Sequence, residues 1–482
     1  MNRPKLDIIG NQEAEKILAE AYSILEKVGV LIENKEAMQL LEDAGAKVDI
    51  KNQKAYFPKS LIETSVKSAP SSITVYNRNG EAALNLEGDN IHFDPGSAAL
   101  TILDWKTRRQ RKPVTQDLID FSRLTDNLKN LAAQSTGLIS SDVPTEIQDR
   151  YRLFIALQNS SKPLVTGTFA LDAFETMKQL LITVRGSAEK LREKPLAIFD
   201  CCPSPPLKWS NLTCQNLIDC AKAGIPAELV SMPLTGATSP GTIAGAVVQH
   251  AAECLSGVVI HQLATPGSPI IWGGSPAAFD MRYGTTPMGA IETMMIDSAY
   301  TKVGKYLELP THAYMGLSDS KLLDCQAGFE SAMGAIIAAL SGVNVISGPG
   351  MLDFESCQSL EKLVIDNEIC GMALQLVKGV ELREGFSEDL YGNIYDGEHF
   401  LTSSHTIEWL REEFYFPSEV ISRENYHVWE TTVGKSAGER AHEKVKDILQ
   451  QEVEIVLDSV VANELKKIIL VDANKYGMEN LP

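Results

Sequence analysis

Glycine, aromatic and polar residues recur where apolar runs of this sequence end, and such positions can carry chemistry. Seven runs end near markers about 30–42 residues apart, which are Gly137, Gly167, Cys201, Gly236, Gly274, Gly316 and Gly348. That spacing is typical of one β-strand and its return helix. The reacting groups of a barrel lie on loops at the carboxyl ends of its strands. The sequence therefore predicts an α/β fold, a (β/α)8 TIM barrel, with its site on these loops.

Three patterns near the predicted loops suggest particular chemistries. Lys321, in Asp319-Ser320-Lys321, could form a Schiff base in a lyase or aldolase, or could neutralise neighbouring acids. Cys201-Cys202 could suggest zinc, but no His or Cys follows at matching spacing, so we expect no metal site. The glycine pairs resemble phosphate loops only superficially. We find no GxSxG, HExxH or CxxC motif, so no nucleophile–base pair is predicted.

Composition restricts the class of protein. The 482 residues are 44% hydrophobic, enough for one large core with additions at its ends. The formal charge of −19 argues against nucleic acid and anionic membrane surfaces as partners. We identify no signal peptide and no uninterrupted apolar stretch of spanning length. The eight cysteines form no CxxC pair, which favours reduced thiols. We therefore expect a cytoplasmic protein that is not bound to membranes.

The helical and extended patterns predict three regions. Residues 1–125 read as an N-terminal α+β region, because helical spacing gives way to alternating and extended runs. Residues 126–386 read as the barrel, and residues 387–482 as a C-terminal helical extension that covers the barrel or contacts another subunit. The eighth strand has two alternative positions, before Asn130 or after Lys378.

Several stretches together resemble a known family. They are Phe57-Pro58 through Ala69-Pro70 to Asn77-Arg78, Ser318-Asp319-Ser320-Lys321 with Asp324-Cys325-Gln326-Ala327-Gly328, Ala339 to Asn344 with Ser347-Gly348-Pro349-Gly350-Met351-Leu352, and Gln358-Ser359-Leu360-Glu361 with Asp366-Asn367-Glu368. Across essentially the whole chain, this pattern is similar to the trimethylamine methyltransferase (MttB-like) superfamily of corrinoid-dependent methyltransferases. The resemblance implies a barrel that moves a methyl group from a methylated amine to the cobalt of a small corrinoid protein.

One departure from the family pattern changes the expected substrate. The trimethylamine enzymes carry pyrrolysine in the barrel, whereas every residue here is a standard amino acid. The chain therefore resembles the non-pyrrolysine branch, which implies a quaternary amine as substrate, with glycine betaine favoured over carnitine, γ-butyrobetaine and proline betaine. The chain has no DxHxxG motif, so the corrinoid (cobalamin) is expected to come from a partner protein. A quaternary ammonium leaves as a neutral amine, so no general acid is required.

The resemblance also directs attention to particular side chains. Aromatic faces attract a quaternary ammonium by roughly 0.5–2 kcal/mol. The candidate aromatics are Trp272, Tyr314, Phe354, Phe93, Phe199 and Tyr283. Arg282 and His312 are candidates for the carboxylate of a betaine. Asp319 and Asp353 are candidates for orienting the substrate, with no catalytic residue fixed. Close approach of the corrinoid is expected at Gly273, Gly274, Gly348 and Gly350.

Two other functions are compatible with these residues. One is a Schiff-base lyase or aldolase that uses Lys321, and the other is a catalytically silent partner protein that binds a betaine. The large extensions also favour a homo-oligomer. Core packing, helix capping and ion pairing are competing explanations for most of the aromatic and acidic candidates.

Overall fold

The structure is a computed structural model that describes residues 3–383, 388–392, 399–432, 434–451 and 457–482. The strands in these residues are β1 (Val30–Ile32), β2 (Lys47–Asp49), β3 (Lys54–Tyr56), β4 (Ile73–Tyr76), β5 (Ala82–Leu86), β6 (His92–Asp94), β7 (Thr101–Asp104), β8 (Arg109–Arg111), β9 (Gln134–Ser135), β10 (Leu164–Gly167), β11 (Ala197–Cys201), β12 (Lys208–Trp209), β13 (Ala227–Ser231), β14 (Leu234–Thr235), β15 (Ile270–Gly274), β16 (Ala277–Ala278), β17 (His312–Tyr314), β18 (Val345–Ser347), β19 (Met351–Leu352) and β20 (Cys357–Gln358).

Helices cover the barrel and form most of the C-terminal region. The α-helices of the described residues are α1 (Asn11–Lys27), α2 (Lys35–Asp43), α3 (Lys59–Ser68), α4 (Thr115–Asn127), α5 (Gln148–Asn159), α6 (Ala173–Arg185), α7 (Ala188–Glu193), α8 (Asn211–Ala223), α9 (Ile243–Ala264), α10 (Ile291–Tyr306), α11 (Cys325–Ser341), α12 (Leu360–Leu376), α13 (Glu388–Tyr391), α14 (Ser404–Glu413), α15 (Tyr426–Thr432), α16 (Ala437–Gln450) and α17 (Ser459–Lys475). Two short 3-10 turns lie at Thr145–Ile147 and Phe400–Thr402.

Parallel strands close into a barrel in the order β6-β9-β10-β11-β13-β15-β17-β18. Parallel pairing joins β9 through β15 and joins β17, β18 and β6. Two contacts complete the ring: a parallel bridge links Trp272 to Thr311, and the amide of Ala132 donates to the carbonyl of Phe93 at 2.7 Å. The predicted (β/α)8 TIM barrel is confirmed.

The eighth strand is β6, which comes first in the chain and pairs with β18. Of the two alternative positions, the structure therefore has the one before Asn130. This strand lies inside the region expected at 1–125, so that region contributes to the barrel as well as preceding it. The other expected boundary, between residues 386 and 387, lies outside the described residues.

Side chains alternate along the barrel strands between the lumen and the surrounding helices. On β11, Phe199 faces outward and packs edge-on against Phe174 of α6, with ring centroids 5.6 Å apart. Ile198 and Asp200 therefore face the lumen. The same alternation places Trp272 outside the barrel and Gly273 inside. Alternation decides which residues at the carboxyl ends of the strands are available to a ligand.

A hairpin fills the amino-terminal end of the barrel. Strands β4 and β5 pair antiparallel, and their inner residues are Ile73, Val75, Leu84 and Leu86. These side chains pack against lumen residues of the barrel strands, namely Ala133, Val165, Ile198, Ile271 and Val345. Elsewhere in the N-terminal region, α1 and α3 pack against α9. The bottom of the barrel is thus a closed apolar core, and the polar part of the lumen lies toward the carboxyl ends of the strands.

A small sheet follows the carboxyl ends of β6 and β18, in the order β19-β20-β7-β8. The turn between β19 and β20 contains three successive residues in the left-handed region: Asp353 (φ 52°), Phe354 (φ 57°) and Glu355 (φ 66°). Non-glycine residues in that region cost on the order of 1–3 kcal/mol each and are often found at functional sites. The turn holds Glu355 near the carboxyl groups of the lumen.

Two C-terminal helices pack onto the barrel helices. Helix α16 lies against α12 and α4, and α17 lies against α6 and α5. Arg150 of α5 is fully buried and forms ion pairs with Asp149, Asp172 and Asp472, the last of which belongs to α17. This cluster fixes α17 to α5 of the barrel.

Helix α9 is long and apolar enough to cross a membrane by length and composition, with a mean hydropathy of 1.5. Within the protein, however, 78% of that window is buried. It packs against α1, α3, α8 and α10. The helix therefore belongs to the core around the barrel.

Candidate active site

Polar side chains from five neighbouring and facing strands meet in the upper lumen. They are Asp94 of β6, Asp200 of β11, Glu228 of β13, His312 of β17 and Ser347 of β18. Asp200 and Glu228 are register partners on adjacent parallel strands, so their side chains lie beside each other. Ser347 and Asp94 are register partners across the closing pair of the barrel. The barrel geometry therefore brings together residues that are far apart in sequence.

Four of these residues form a continuous chain of polar contacts. His312 Nδ1 lies 2.9 Å from Glu228 Oε1, and His312 Nε2 lies 3.1 Å from Ser347 Oγ. Ser347 Oγ donates to Asp94 Oδ1 at 2.7 Å. All four side chains are almost completely buried. The chain crosses the lumen from β13 to β6.

Burial controls the protonation of this cluster. It raises the pKa of Asp94 and of Glu228 well above their usual range. Burial also raises the pKa of Asp200, and the neighbouring Glu228 raises it further. For His312, burial lowers the pKa to about 3, which makes the imidazole neutral at pH 7. Burial therefore favours the neutral forms of these groups, since charged forms are poorly solvated there.

Arg152 of α5 is a buried cation at the mouth of the barrel. Its guanidinium donates to the carbonyls of Thr136 and Gly167, at 3.0 and 3.2 Å, where β9 and β10 end. Phe169 covers it, with the guanidinium carbon 4.3 Å from the ring centroid. Burial lowers the pKa of Arg152 to about 10 although Asp149 and Asp200 oppose that shift. Its Nε has no hydrogen-bond partner in the part of the chain that the structure describes.

Tyr314 and Glu355 lie above the chain of polar contacts. The Tyr314 ring packs edge-on against His312, with centroids 4.8 Å apart, and only 6% of the residue is exposed. Glu355 is half-buried on its left-handed turn. Burial raises its pKa well above the usual range, and Asp200 and Asp94 contribute to that shift. A ligand that enters from the carboxyl face would meet Glu355 and Tyr314.

Three predicted aromatic candidates lie outside the lumen, which corrects the expected cage. Trp272 is fully buried on the outer face of β15, where its Nε1 donates to the Tyr300 carbonyl at 3.0 Å. Phe199 packs against α6. Phe93 precedes the inward-facing Asp94, is 1% exposed and belongs to the core outside the strands. Strand alternation explains all three positions, because each is adjacent to a residue that faces inward.

Arg282 and Tyr283 lie on the rim of the barrel mouth. The Arg282 side chain is 79% exposed and forms a two-point ion pair with Asp280. Tyr283 is 77% exposed beneath that guanidinium, 5.5 Å from it. His312, the other candidate for an anion, faces the lumen but is neutral and engaged with Glu228 and Ser347. Neither predicted anion-binding residue presents a free charge to the lumen.

Phe354, Asp353 and Lys321 form a group above the mouth. The Lys321 ammonium lies 3.7 Å from the centroid of the Phe354 ring and 3.5 Å from Asp353 Oδ1. It also donates to the carbonyl of Asp319 at 2.6 Å. The Lys321 side chain is 55% exposed, whereas a Schiff-base lysine usually lies in a desolvated apolar pocket. The Phe354 ring already contacts a cation of the protein.

Asp319 stabilises the loop before α10. Its carboxylate accepts hydrogen bonds from the amides of Met288 and Gly289, at 2.9 and 3.0 Å. Burial raises the pKa of Asp319 to about 6, with Glu330 adding to the shift and the two amides opposing it. Asp319 therefore orients backbone rather than a group in the lumen.

The four glycines expected to admit a corrinoid are instead in close contact with protein. A Cβ on Gly273 would lie 2.8 Å from His312 Nδ1, and one on Gly274 would lie 2.6 Å from His250 Nε2. Added Cβ atoms on Gly348 and Gly350 would collide with the Met315 carbonyl and the Gln358 side chain. These glycines permit tight packing around the site, and the space at each is already filled.

Sequence reasoning named Tyr314 and His312, and both lie in the lumen. It did not identify Glu228, Ser347, Arg152 or Glu355. Glu228 had a usable signal, because it is a charged residue within the apolar run Ala227-Glu228-Leu229-Val230. Arg152 lies in a helical sequence pattern, and that pattern does not show toward which side of the helix the Arg152 side chain points.

Comparison with known proteins identifies relatives over nearly the full chain. The profile of the family described as trimethylamine methyltransferase (MTTB) matches residues 1–476. The chain is 31% identical to the glycine betaine methyltransferase of Desulfitobacterium hafniense strain Y51, over 99% of each chain. It is 29% identical to trimethylamine methyltransferase MttB of D. hafniense strain DSM 10664 / DCB-2, over 97% of this chain and 94% of that one.

A solved structure, the monomethylamine methyltransferase MtmB of Methanosarcina barkeri, aligns with a TM-score of 0.48 at 12% identity, covering 92% of this chain and 93% of that one. The near full-length relatives and the family profile agree in assigning a methyltransferase that acts on methylated amines. The chain belongs to the trimethylamine methyltransferase (MTTB) family.

Proposed function

We propose that this protein transfers a methyl group from a quaternary amine, with glycine betaine favoured, to Co(I) of a corrinoid carried by a separate protein. The observation that carries the proposal is the group of carboxyl residues around the upper lumen, Asp94, Asp200, Glu228 and Glu355. These acids suit a ligand that brings a permanent positive charge. The similarity to a glycine betaine methyltransferase supports the same substrate class.

A fixed cation is better matched to this site than a neutral ligand. A quaternary ammonium offers no conventional N–H donor, so it is bound by carboxylates and aromatic faces rather than by directed hydrogen bonds. The lumen supplies acids on three sides and the Tyr314 ring beside His312. When the methyl leaves, the C–N electron pair stays on nitrogen and the positive charge disappears. Low polarity around the site therefore favours the charge-neutralising direction.

Arg152 is the better candidate for the carboxylate of a betaine than Arg282. It is buried beside the lumen, and its Nε has no partner in the described part of the chain. Arg282, in contrast, is paired with Asp280 at the surface. We propose that Arg152, with Phe169 as a movable cover, recognises the anionic end of the substrate, while the carboxyl groups recognise the cationic end.

The carboxyl face of the barrel is suited to a protein partner. Exposed apolar side chains surround the mouth, on loops that follow five of the barrel strands: Leu100, Leu171, Met232, Met281, Tyr283 and Leu322. Apolar groups in such a ring commonly mark a protein-binding surface. We propose that the corrinoid protein docks here and presents Co(I), the nucleophile, to the methyl group. This chain's own residues bind and orient the substrate and exclude water. A cytoplasmic location and a homo-oligomer remain part of the proposal.

The proposal is tested by methyl transfer to photoreduced cob(I)alamin, followed by the loss of its visible absorbance. Glycine betaine, carnitine, proline betaine and trimethylamine are compared, first with free cobalamin and then with a corrinoid protein from the same genome. Transfer from one quaternary amine and none from trimethylamine is expected. Transfer from trimethylamine alone would contradict the proposed substrate class.

Arg152→Lys and Arg282→Lys form a matched pair for the substrate carboxylate. We expect Arg152→Lys to raise the KM for glycine betaine by about tenfold or more, because a buried guanidinium–carboxylate contact is lost. Arg282→Lys, which changes an exposed pair, should leave KM within about twofold. Equal effects of the two changes would remove Arg152 from the proposed site.

A silent betaine-binding protein is distinguished by binding without turnover. In that case glycine betaine would bind in calorimetry but would yield no transfer to any supplied corrinoid protein. The Schiff-base alternative is tested by borohydride with carbonyl compounds. A trapped adduct on Lys321 would support it, although the exposed, ion-paired environment of Lys321 disfavours that outcome.

A further inference from the structure

We propose that the β7–β8 hairpin and the cavity beside it dock an acidic surface of the corrinoid-carrying protein. The hairpin, residues 104–112, supplies positive charge, and the cavity receives one apolar side chain of the partner. The inference rests on the proposed function, because that function requires a separate carrier of the corrinoid. It assigns docking to particular residues of this chain and states the chemistry of the surface that they recognise.

Basic residues are concentrated in the hairpin although the chain as a whole is acidic. Residues 104–112 contain five basic residues and one acidic residue, in a protein with a formal charge of −19. The basic residues are Lys106, Arg108, Arg109, Arg111 and Lys112, and all of them are exposed. A small positive area on an acidic protein attracts acidic partners and orients their approach.

Most of this positive charge is not neutralised within the protein. Arg111 is the exception, because its guanidinium donates to both carboxylate oxygens of Asp117 on α4, at 2.6 and 2.7 Å. The other four basic residues of the hairpin form no ion pair with any residue that the structure describes. Four solvated cations are therefore available to a partner.

Protection of a sheet edge is a competing explanation for the charge. Strand β8 is the edge of the sheet β19-β20-β7-β8, and charged residues on an edge strand prevent unwanted pairing between sheets. Of the basic residues, however, only Arg109 and Arg111 belong to β8. Lys106 and Arg108 lie in the turn before it, and Lys112 follows it. Edge protection therefore explains part of the charge but not its extension over the turn.

The hairpin is fixed beside the mouth of the barrel. Asp104 Oδ1 accepts hydrogen bonds from the amide and the hydroxyl of Thr107, both at 2.8 Å, which hold the turn. Gln110 Nε2 donates to Asp353 Oδ2 at 2.9 Å. Asp353 belongs to the left-handed turn that carries Glu355 to the upper lumen. The positive surface is thus attached to the edge of the site from which the methyl group leaves.

A cavity of about 400 Å³ lies between the hairpin and helices α11, α12 and α16. Its apolar lining consists of Leu103, Trp105, Leu322, Leu323 and Ile365. Trp105 stacks on His442 of α16, with ring centroids 4.8 Å apart, and 42% of Leu322 is exposed. Side chains that fill such cavities supply much of the binding energy of protein interfaces.

Charged residues that also line the cavity are bonded within the protein. Lys362 pairs with Asp366, and Glu361 accepts from the imidazole of His442 at 2.8 Å. Asp324 accepts from the amide of Ala327 at the start of α11. The cavity therefore suits an apolar side chain, and the charged part of the partner is expected over the hairpin.

A different protein fits this surface better than a second copy of the chain. In a two-fold contact the same patch meets itself, so two basic hairpins would face and repel each other. A copy bound there would also stand beside the mouth. A corrinoid-carrying protein, in contrast, must reach that mouth to receive the methyl group. We therefore assign the surface to this partner.

Calorimetry with a corrinoid protein from the same genome, held in its Co(II) state, tests the docking surface. The hairpin variant is Lys106→Glu/Arg109→Glu/Lys112→Glu. It leaves the paired Arg111 and the left-handed Arg108 (φ 54°) unchanged. We expect Kd to rise at least about tenfold at about 0.05 M salt, and this difference to shrink at about 0.5 M salt, since salt screens exposed charges.

A matched control changes the same charge at the opposite end of the barrel. It is Lys67→Glu/Lys129→Glu/Lys190→Glu, and all three lysines are exposed. Lys129 precedes β9, and Lys190 belongs to α7, which precedes β11. Lys67 lies at the end of α3, where Ser68 bonds to Gln262 near the end of α9. Kd should stay within about twofold of the wild type. An equal loss in both variants would contradict recognition by the hairpin.

Leu322→Asp tests the cavity. A carboxylate at this position should repel an apolar side chain and raise Kd by about tenfold, with little dependence on salt. Ile50→Asp is the control, because Ile50 is 70% exposed in the turn between β2 and β3. It should leave Kd unchanged. An unchanged Kd in Leu322→Asp would overturn the assigned role of the cavity.

Free cob(I)alamin separates recognition of the partner protein from recognition of the cofactor. Because the free cofactor has no protein surface, the hairpin variant and Leu322→Asp should both transfer methyl groups to it at the wild-type rate. Equal losses with free and carried cofactor would assign the charges to the phosphate of the cobalamin and overturn the proposal. A change of oligomeric state with partner binding retained would assign the surface to a second copy and also overturn it.

The binding assay contains no methyl donor, so it distinguishes this proposal from the proposed function. If the corrinoid protein binds with the expected dependence on salt and hairpin charge but no quaternary amine donates a methyl group, the docking surface stands and the proposed substrate is wrong. If glycine betaine is demethylated but the hairpin variant binds the partner as the wild type does, the proposed substrate stands and the docking surface is wrong.

Discussion

Gly273 and His312 fit against each other across two adjacent barrel strands. A Cβ on Gly273 would lie 2.8 Å from His312 Nδ1 and 2.8 Å from the Leu229 carbonyl. The absent side chain of β15 therefore leaves the space in which the imidazole reaches Glu228. A glycine that sequence reasoning associated with the approach of a cofactor instead positions a side chain of the protein.

Gly273→Ala should displace the imidazole and weaken methyl transfer. We expect a loss of at least about tenfold in kcat/KM and a decrease of about 1–3 kcal/mol in the free energy of unfolding, since the added methyl overpacks a buried site. Gly328→Ala is the matched control, because a Cβ there meets nothing within 4 Å. Activity assays and urea unfolding provide the two readouts. Wild-type activity in Gly273→Ala would contradict the positioning role.

Tyr314 and Trp272 should differ in what their substitution affects. Tyr314→Leu removes an aromatic face from the lumen and should weaken quaternary amine binding by about two- to thirtyfold. Trp272→Phe changes the packing between β15 and the outer helices, so it should lower the free energy of unfolding by about 1–2 kcal/mol with affinity retained. Calorimetry and urea unfolding measure both variants. A large loss of affinity in Trp272→Phe alone would contradict the assignment of these two rings.

The pH dependence of stability should carry a contribution from Asp319. Its pKa of about 6 in the folded protein lies above the unfolded value of about 3.9. The folded state therefore binds more protons between these values, so this group's contribution to stability is present below pH 4 and is lost as pH rises to about 6. Asp319→Asn should flatten the stability profile in that window, measured by urea unfolding at a series of pH values. An unchanged slope would refute the assignment.

The Arg150 cluster should be important for attaching the C-terminal helix α17. Arg150→Met leaves Asp149 and Asp472 buried without their cation and should cost about 3–5 kcal/mol in the free energy of unfolding. Lys467→Met, which breaks an exposed pair with Glu464, should cost less than about 1 kcal/mol. Proteolysis within α17 should also become faster in Arg150→Met. Equal costs for the two variants would argue against a structural role for the cluster.

The repeat of the barrel could be predicted from sequence, but its closing strand could not. Seven loop markers recur at regular spacing and define most strand–helix units. Strand β6 has only three residues and runs directly into Pro95-Gly96, a turn signal. Its strand conformation depends on pairing with β18 through contacts that no local pattern contains. Tertiary context decided the structure of this segment.

The sequence predicted where in the fold the site lies, but it identified only some of the residues that form it. Proximity to a loop glycine made Trp272 look accessible, whereas the alternation of side chains directs it outward. Glu228 was detectable as a charge inside an apolar strand, but its partner His312 lies on a strand two positions further around the barrel. Orientation of Arg152 depends on helix packing. Pairings between strands and helix rotations are set by the whole fold, so single-sequence patterns leave them open.

The closure of the barrel between its first and last strands has a consequence for how the chain acquires its structure. Asp94 and Ser347, which meet at that seam, are separated by 253 positions. During synthesis β6 is made long before β18, so one edge of β6 has no strand partner until β18 has been synthesised. Contacts of such sequence separation slow folding, because the intervening loop must be closed first. The polar contacts from Glu228 to Asp94 are complete only when β6 and β18 have paired, so assembly of the site requires both ends of the barrel sequence.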